Sequence, residues 1–188
     1  MQEFVVLVDE QNKEIGTAPK DEVHTTNTPL HRGFSLFLFN SKNELLVTKR
    51  ADTKKTFPGV WTNTVCGHPG SEESAADAAK RRLKDELGID LKRSHLAEQG
   101  ETLRVVTPYR YRFADANGIV ENEICPVLVG FITDMRPHSR YKIFPDSSEV
   151  SEWKWMPWEE FLKNIDAQPE KYSPWCREEA KLITPLVT

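Results

Sequence analysis

Residues 71–88, SEESAADAAKRRLKDELG, change the apolar period of the chain from two residues to about 3.6. Ala76, Ala79, Leu83 and Leu87 form one stripe, acids crowd the first turn, and Gly88 stands where a left-handed residue would end a helix. Strand signals surround this segment. FVVLVDE (4–10), RGFSLFLFN (32–40), ELLVTKR (44–50) and VWTNTVC (60–66) are rich in β-branched and aromatic residues, and the short NSKN predicts a hairpin. Further on, TLRVVTPYRYRF (102–113) and EICPVLVGFI (123–132) read as strands about a DANG turn. PWEEFL (157–162) and SPWCREEAKLI (173–183) read as helices, the second capped by Ser173 with Pro174 in its first position. Apolar helices and apolar strands must cover one another, so an α/β sheet with helices on both faces is expected. No repeat, linker or low-complexity stretch divides the 188 residues, which are expected to form a single domain over 1–188.

Composition excludes several classes. Hydrophobic residues are 38% and charged residues 29%, and no apolar run is long enough to span a membrane. MQEFVVLVDE has no basic region before its apolar run and no small-residue cleavage site, so no secretory signal is expected. Three cysteines are an odd number without a dense framework, which points to reduced thiols and a cytoplasmic setting. A net charge of −4 argues against general nucleic-acid binding, although Lys49, Arg50, Lys54 and Lys55 concentrate positive charge locally.

The chemistry sits around the helix. From Gly67, five residues lead to Glu73, seven more to Arg81, and then come Arg82, Leu83, Lys84, Asp85, Glu86, Leu87, Gly88 and Ile89. This order resembles the signature of the Nudix superfamily, with Arg82 in place of a glutamate and Asp85 in place of the first acid of a pair. Residues 82 and 86 share a helix face. A diphosphate could meet Arg82 directly and Glu86 through a hard divalent ion; the plainer reading is a surface ion pair. His24, His31 and His68, with Glu121 and Glu123, could build a mixed nitrogen and oxygen metal site suited to Zn²⁺, Mn²⁺ or Fe²⁺ rather than Ca²⁺. In an extended segment both carboxylates point to one side. Each histidine alone could equally be a satisfied polar residue. Cys66, in WTNTVCGHP, is open to three readings: a buried filler, a zinc ligand with His68, or a reactive group.

Taken together, WTNTVCGHP, RRLKDELGI, YRYRFADANGIVENEICPV, the two early histidines and the late SPW resemble type 1 isopentenyl diphosphate:dimethylallyl diphosphate isomerase over residues 3 to 183. The resemblance implies a Nudix-like α/β/α sandwich with a central mixed sheet, and migration of a double bond in a five-carbon alkenyl diphosphate without loss of phosphate. It implies that Cys66 and Glu123 exchange protons with substrate carbons from opposite faces, with Tyr111 supporting Glu123. It implies that His24, His31, His68, Glu121 and Glu123 hold one tightly bound divalent metal, Mn²⁺ or Zn²⁺. Glu86 and the carbonyl of Cys66 would hold an Mg²⁺ that arrives with the diphosphate. Lys20, Arg50, Lys54 and Arg82 would surround the diphosphate, and Trp175 would face the hydrocarbon. Arg82, odd for a Nudix hydrolase, is the expected residue in this family. A diphosphate hydrolase and a non-catalytic binding module are the rival classes; neither needs Cys66, Tyr111 and Glu123 together. The expected partner is a small alkenyl diphosphate, with no nucleic acid, no membrane and a monomeric protein. Cys125 is expected to be core, and Trp61, Trp158, His95 and His138 are given no role.

Overall fold

The computed structural model describes residues 2–91, 103–132 and 142–187. Two mixed sheets carry the fold. The larger contains β4 (Phe34–Asn40), β5 (Glu44–Arg50), β8 (Arg104–Thr107), β11 (Val127–Ile132) and β12 (Val150–Pro157) in the order β12-β5-β4-β11-β8. Short strands β6 (Trp61–Thr62) and β7 (Val65–Gly67) pair with β5 and β4. The smaller sheet runs β2 (Glu14–Pro19), β1 (Phe4–Val8), β3 (His31–Arg32), β10 (Val120–Ile124), β9 (Arg110–Ala114).

Every residue of β4 is buried, as its largely apolar run, interrupted by Ser35, requires of a strand covered on both faces. Phe34, Leu36 and Leu38 pack with Ala78, Ala79, Leu83 and Leu87 of α2 (Ala75–Leu87). Phe37 and Phe39 point the other way, into a core with Phe161 of α3 (Trp158–Ala167) and Trp175 and Ile183 of α4 (Pro174–Val187). The larger sheet is therefore the centre of the expected sandwich. A four-residue helix, α1 (Lys20–Val23), joins β2 to the segment carrying His24.

The second sheet was not expected, and it arises from interrupted strands. The run 102–113 breaks at Pro108 and the run 123–132 at Pro126, which lack the N–H a ladder needs. Each half then joins a different sheet. The run 60–66 is likewise two strands, separated where Asn63 and Thr64 turn their side chains onto Leu36, Val65 and Leu46 carbonyls. The 71–88 helix begins later than its composition implies: the Ser74 hydroxyl accepts from Asp77 N, and residues 71–74 precede the first turn. Ala78 is buried where Ala76 was expected. Gly88 ends α2 with φ 70°, and its N–H returns to the Leu83 and Lys84 carbonyls. Pro174 opens α4, and the Ser173 hydroxyl meets Thr62 Oγ1 at 2.8 Å.

Three pairings position the site. β10 runs parallel to β3 and sets Glu123 beside His31. β9 sets Tyr111 opposite Glu123. β4 sets Ser35 opposite Cys66 of β7.

Candidate active site

Side chains from both sheets, α2 and α4 enclose a cavity of about 470 Å³, a size that suits a small molecule. Its lining brings together cations, carboxylates, imidazoles, the Cys66 thiol and the Trp175 ring.

The imidazoles of His24, His31 and His68 stand 5.1 to 5.6 Å apart, centroid to centroid. Glu123 Oε1 lies 3.1 Å from His68 Nε2 and 3.5 Å from His31 Nε2. Glu121 Oε2 is 3.0 Å from His24 Nε2. One ligand atom from each of the five residues fits within 4.8 Å of all the others. The second ring nitrogens are engaged behind: His31 Nδ1 lies 2.9 Å from the Pro29 carbonyl and His24 Nδ1 3.4 Å from that of Lys20. Such contacts fix the tautomer that turns Nε2 inward. His24 Nε2, His31 Nε2, His68 Nδ1 and Glu121 Oε2 are buried without a hydrogen-bond partner. Polar atoms orphaned together in this way are satisfied by a cation. The donor set fits a borderline divalent ion.

Without such an ion the cluster balances itself by protons. Burial drives the Glu123 carboxyl up, but the His31 and His68 rings set against it hold it well below the usual range. Burial also opposes the His24 ring at Glu121, where the ring wins and the carboxyl is lowered. Glu121 Oε1 additionally accepts a short hydrogen bond from the Thr56 hydroxyl.

Within the cavity Arg82 is packed among acids. Its Nη2 is 2.7 Å from Glu86 Oε1 and 3.1 Å from Glu149 Oε1, and its Nη1 is 3.6 Å from Glu3 Oε1. Lys20 pairs with Glu3 and Lys54 with Glu149, each at 2.5 Å. Burial raises the Glu149 carboxyl, but Lys54 and Arg82 overcome this and bring it to about 2. Burial dominates at Glu86, which is raised despite Arg82. Arg50 donates to the Thr56 and Phe57 carbonyls, which aims it across the cavity with its guanidinium 5.5 Å from the Trp175 ring centre.

Cys66 donates to Asn63 Oδ1 at 3.2 Å and lies 3.4 Å from the Ser35 hydroxyl. Burial pushes its thiol up, so it rests protonated. Tyr111 stacks on Trp175 with centroids 5.7 Å apart and planes at 19°. Burial likewise raises the Tyr111 hydroxyl.

Lys20, His24, Arg50, Lys54, Cys66 and His68 thus line one cavity, as do Arg82, Glu86, Tyr111, Glu121, Glu123 and Trp175; His31 stands in the cluster behind them. Arg82 and Glu86 do pair with each other, but inside the cavity, not on the surface. Cys125 and Cys176 are free and buried, as is Trp158, while Trp61 carries Lys154 over its ring. His95 and His138 lie outside the described residues. Sequence reasoning missed Glu3, Glu149, Thr56, Asn63 and Ser35. Asn63, three residues before Cys66 between two strand fragments, carried a local turn signal; Glu149 carried none.

A NUDIX domain matches residues 29–176. A Corynebacterium efficiens protein named isopentenyl-diphosphate Delta-isomerase is 48% identical over 174 residues, covering 93% of this chain and 86% of its own. A Rhizobium rhizogenes protein of the same name is 41% identical over 186 residues, covering 98% and 81%. Among solved structures, a Deinococcus radiodurans protein matches with a TM-score of 0.70 at 18% identity, covering 97% of this chain and 99% of that one, a likeness of fold alone. The chain therefore belongs to the isopentenyl-diphosphate Delta-isomerase family, built on the NUDIX domain.

Proposed function

We propose that the protein interconverts isopentenyl and dimethylallyl diphosphate by moving a proton on and off opposite faces of the alkene. The observation that carries this reading is the sharing of one cavity by Cys66, Glu123, the cations Lys20, Arg50, Lys54 and Arg82, and Trp175. Arg50, Lys54, Lys20 and Arg82 hold the diphosphate, and the last three exchange carboxylate partners for phosphate oxygens. Trp175 meets the hydrocarbon.

An isolated alkene is a weak base, so its protonation needs a strong acid in a site that excludes water. From the dimethylallyl side, Cys66 gives its proton to the carbon next to the diphosphate-bearing carbon. The double bond supplies the electron pair, and positive charge is left on the tertiary carbon. Glu123 then takes a proton from the neighbouring methyl, whose C–H electrons form the terminal double bond. The resting site suits this direction, with Cys66 as thiol and Glu123 as carboxylate. The opposite direction runs with Glu123 protonated and Cys66 as thiolate. Trp175, flanked by Tyr111, presents its ring face to the charge.

His24, His31, His68, Glu121 and Glu123 would hold Mn²⁺ or Zn²⁺, and Glu86 with the Cys66 carbonyl an Mg²⁺; bound there, these ions supply Lewis-acid polarisation and neutralise diphosphate charge. Imidazole ligands must be neutral. A metal on one Glu123 oxygen favours its charged form, which burial and the neighbouring Glu121 carboxylate oppose. The substrate is a small molecule, and the net charge of −4 supports no role on nucleic acid. We further read the protein as a cytoplasmic monomer without a membrane partner.

The test is Cys66→Ser. A hydroxyl is a much weaker acid than a thiol. Isomerisation should nearly vanish while the circular dichroism spectrum and metal content stay at wild-type values. Wild-type turnover in C66S would remove Cys66 from the reaction.

A further inference from the structure

The loop between β5 and β6 holds a strained residue that no step above uses. Phe57 has φ 44°. A bulky side chain rarely takes a left-handed backbone, and one that does is held there by its surroundings. Glycine would take this φ freely. Arg50 closes the loop through its backbone: its N–H bonds the Val60 carbonyl at 2.9 Å, and its carbonyl accepts from Gly59 N at 3.2 Å. Pro58 restricts residue 57 further by disfavouring the right-handed helical region. The turn directs two successive carbonyls at one side chain. Arg50 Nη2 donates to the Thr56 carbonyl at 2.8 Å, and Arg50 Nε to that of Phe57 at 3.1 Å.

The Phe57 ring goes to a different group. It meets Trp175 edge to face, with centroids 5.0 Å apart and planes at 89°. Tyr111 stacks on the same indole, and the Arg50 guanidinium lies 5.5 Å from its centre. Trp175 is almost fully buried, and its indole N–H has no hydrogen-bond partner. The orientation of the indole therefore rests on packing, and ring contacts are the directional part of that packing. Thr56 and Trp175 line the cavity, while Phe57 stands outside its lining and is half-buried. One strained dipeptide thus touches both the cation read as holding the diphosphate and the indole read as facing the hydrocarbon.

We propose that Phe57 is a positioning residue for the isomerisation: its ring braces Trp175 from outside the cavity and fixes the indole where it stabilises positive charge on the substrate. The left-handed turn joins that brace and the carbonyl pair on Arg50 in one rigid frame. The ring acts on the charged intermediate and the carbonyls act on diphosphate binding, so kinetics can separate the two. The inference rests on the isomerase reading, in which Trp175 faces a carbocation.

The experiment compares metal-loaded wild type, Phe57→Ala, Phe57→Leu, Phe57→Tyr, Trp175→Ala and the double variant F57A/W175A by kcat and KM for isopentenyl diphosphate. Binding of inorganic diphosphate with Mg²⁺ is measured beside them by calorimetry. Alanine keeps the backbone carbonyls on Arg50 and removes the ring. F57A should therefore lower kcat about fivefold to tenfold, with KM and the diphosphate Kd within about twofold of wild type. F57L, which fills space without a ring, should lose at least about threefold in kcat. F57Y, which restores the ring, should keep kcat within about twofold of wild type. W175A should lose more than F57A, and F57A/W175A no more than W175A, because Phe57 acts through the indole. A merely structural role would lower the thermal midpoint and leave kcat of the folded fraction unchanged. Wild-type kcat in F57A, F57Y as slow as F57A, or losses that multiply in the double variant would overturn the proposal; should F57A not fold, equal kcat in F57L and F57Y would do so. Diphosphate binding does not depend on turnover. A failed isomerase reading would show instead as absence of double-bond migration in the wild type.

Discussion

Gly33 and Glu123 are packed so closely that a Cβ on residue 33 would overlap Glu123 Oε2. The Gly33 N–H meanwhile bonds the Ile124 carbonyl at 2.9 Å, so the backbone cannot easily retreat. Gly33→Ala should therefore displace the Glu123 carboxylate and leave the sheet pairing in place. Tightly bound metal and turnover should both fall at least tenfold, by analogy with disturbed support around metal ligands. Elemental analysis after dialysis and a steady-state assay would check this. Full metal content with full activity would mean that the carboxylate need not sit where it does.

The three imidazoles bear on the same point. His24→Ala, His31→Ala and His68→Ala each remove a ligand atom from a cluster fixed by strand pairing and by carbonyls behind the rings. Each should weaken metal retention by more than the roughly 10–100-fold seen when supporting contacts are lost. Stoichiometric metal after dialysis in all three variants would show that the cluster is not the site.

Arg82→Glu places a third carboxylate between Glu86 and Glu149. The substrate diphosphate loses an attraction and gains a repulsion. KM should rise at least tenfold, with added Mg²⁺ recovering only part of it. Efficient diphosphate hydrolysis should not appear, because that chemistry needs a base aimed at an attacking water. An unchanged KM would place the diphosphate elsewhere.

Glu179, buried in α4, leaves a mark on stability. Its carboxyl titrates near 4.5 in a solvated chain and near 8 in the fold. Between these values the folded state holds a proton that the unfolded state has released, so stability is full below the lower value and is lost as pH rises through the upper one. The slope from this one group is at most about 1.4 kcal/mol per pH unit. Glu179→Gln removes it. Urea midpoints of E179Q should approach those of wild type near pH 4.5 and exceed them increasingly toward pH 8. Parallel curves would show that Glu179 is ionised in the fold.

What could be read from sequence was what is local. The 3.6 period of α2, the Gly88 stop and the i, i+2 spacing of Glu121 and Glu123 are short-range facts, and the cavity uses them directly. The resemblance then tied distant blocks together. Pro108 and Pro126 were visible, but a proline inside an apolar run does not say that its two halves enter different sheets. β12, with its exposed Glu152 and Trp153, lies at a sheet edge and lacks the apolar run that marked β4. Glu149 reaches Lys54 and Arg82 only through tertiary pairing, which no local pattern announces.

The most direct measurement follows purified, metal-loaded wild-type protein with isopentenyl diphosphate in D₂O by ¹H and ³¹P NMR. The double bond should migrate to give dimethylallyl diphosphate, deuterium should enter both the terminal carbon and the carbon next to the diphosphate-bearing carbon, and the ³¹P spectrum should show no free phosphate or diphosphate. Phosphate or diphosphate release outpacing double-bond migration would contradict the isomerase account and leave a Nudix hydrolase in its place.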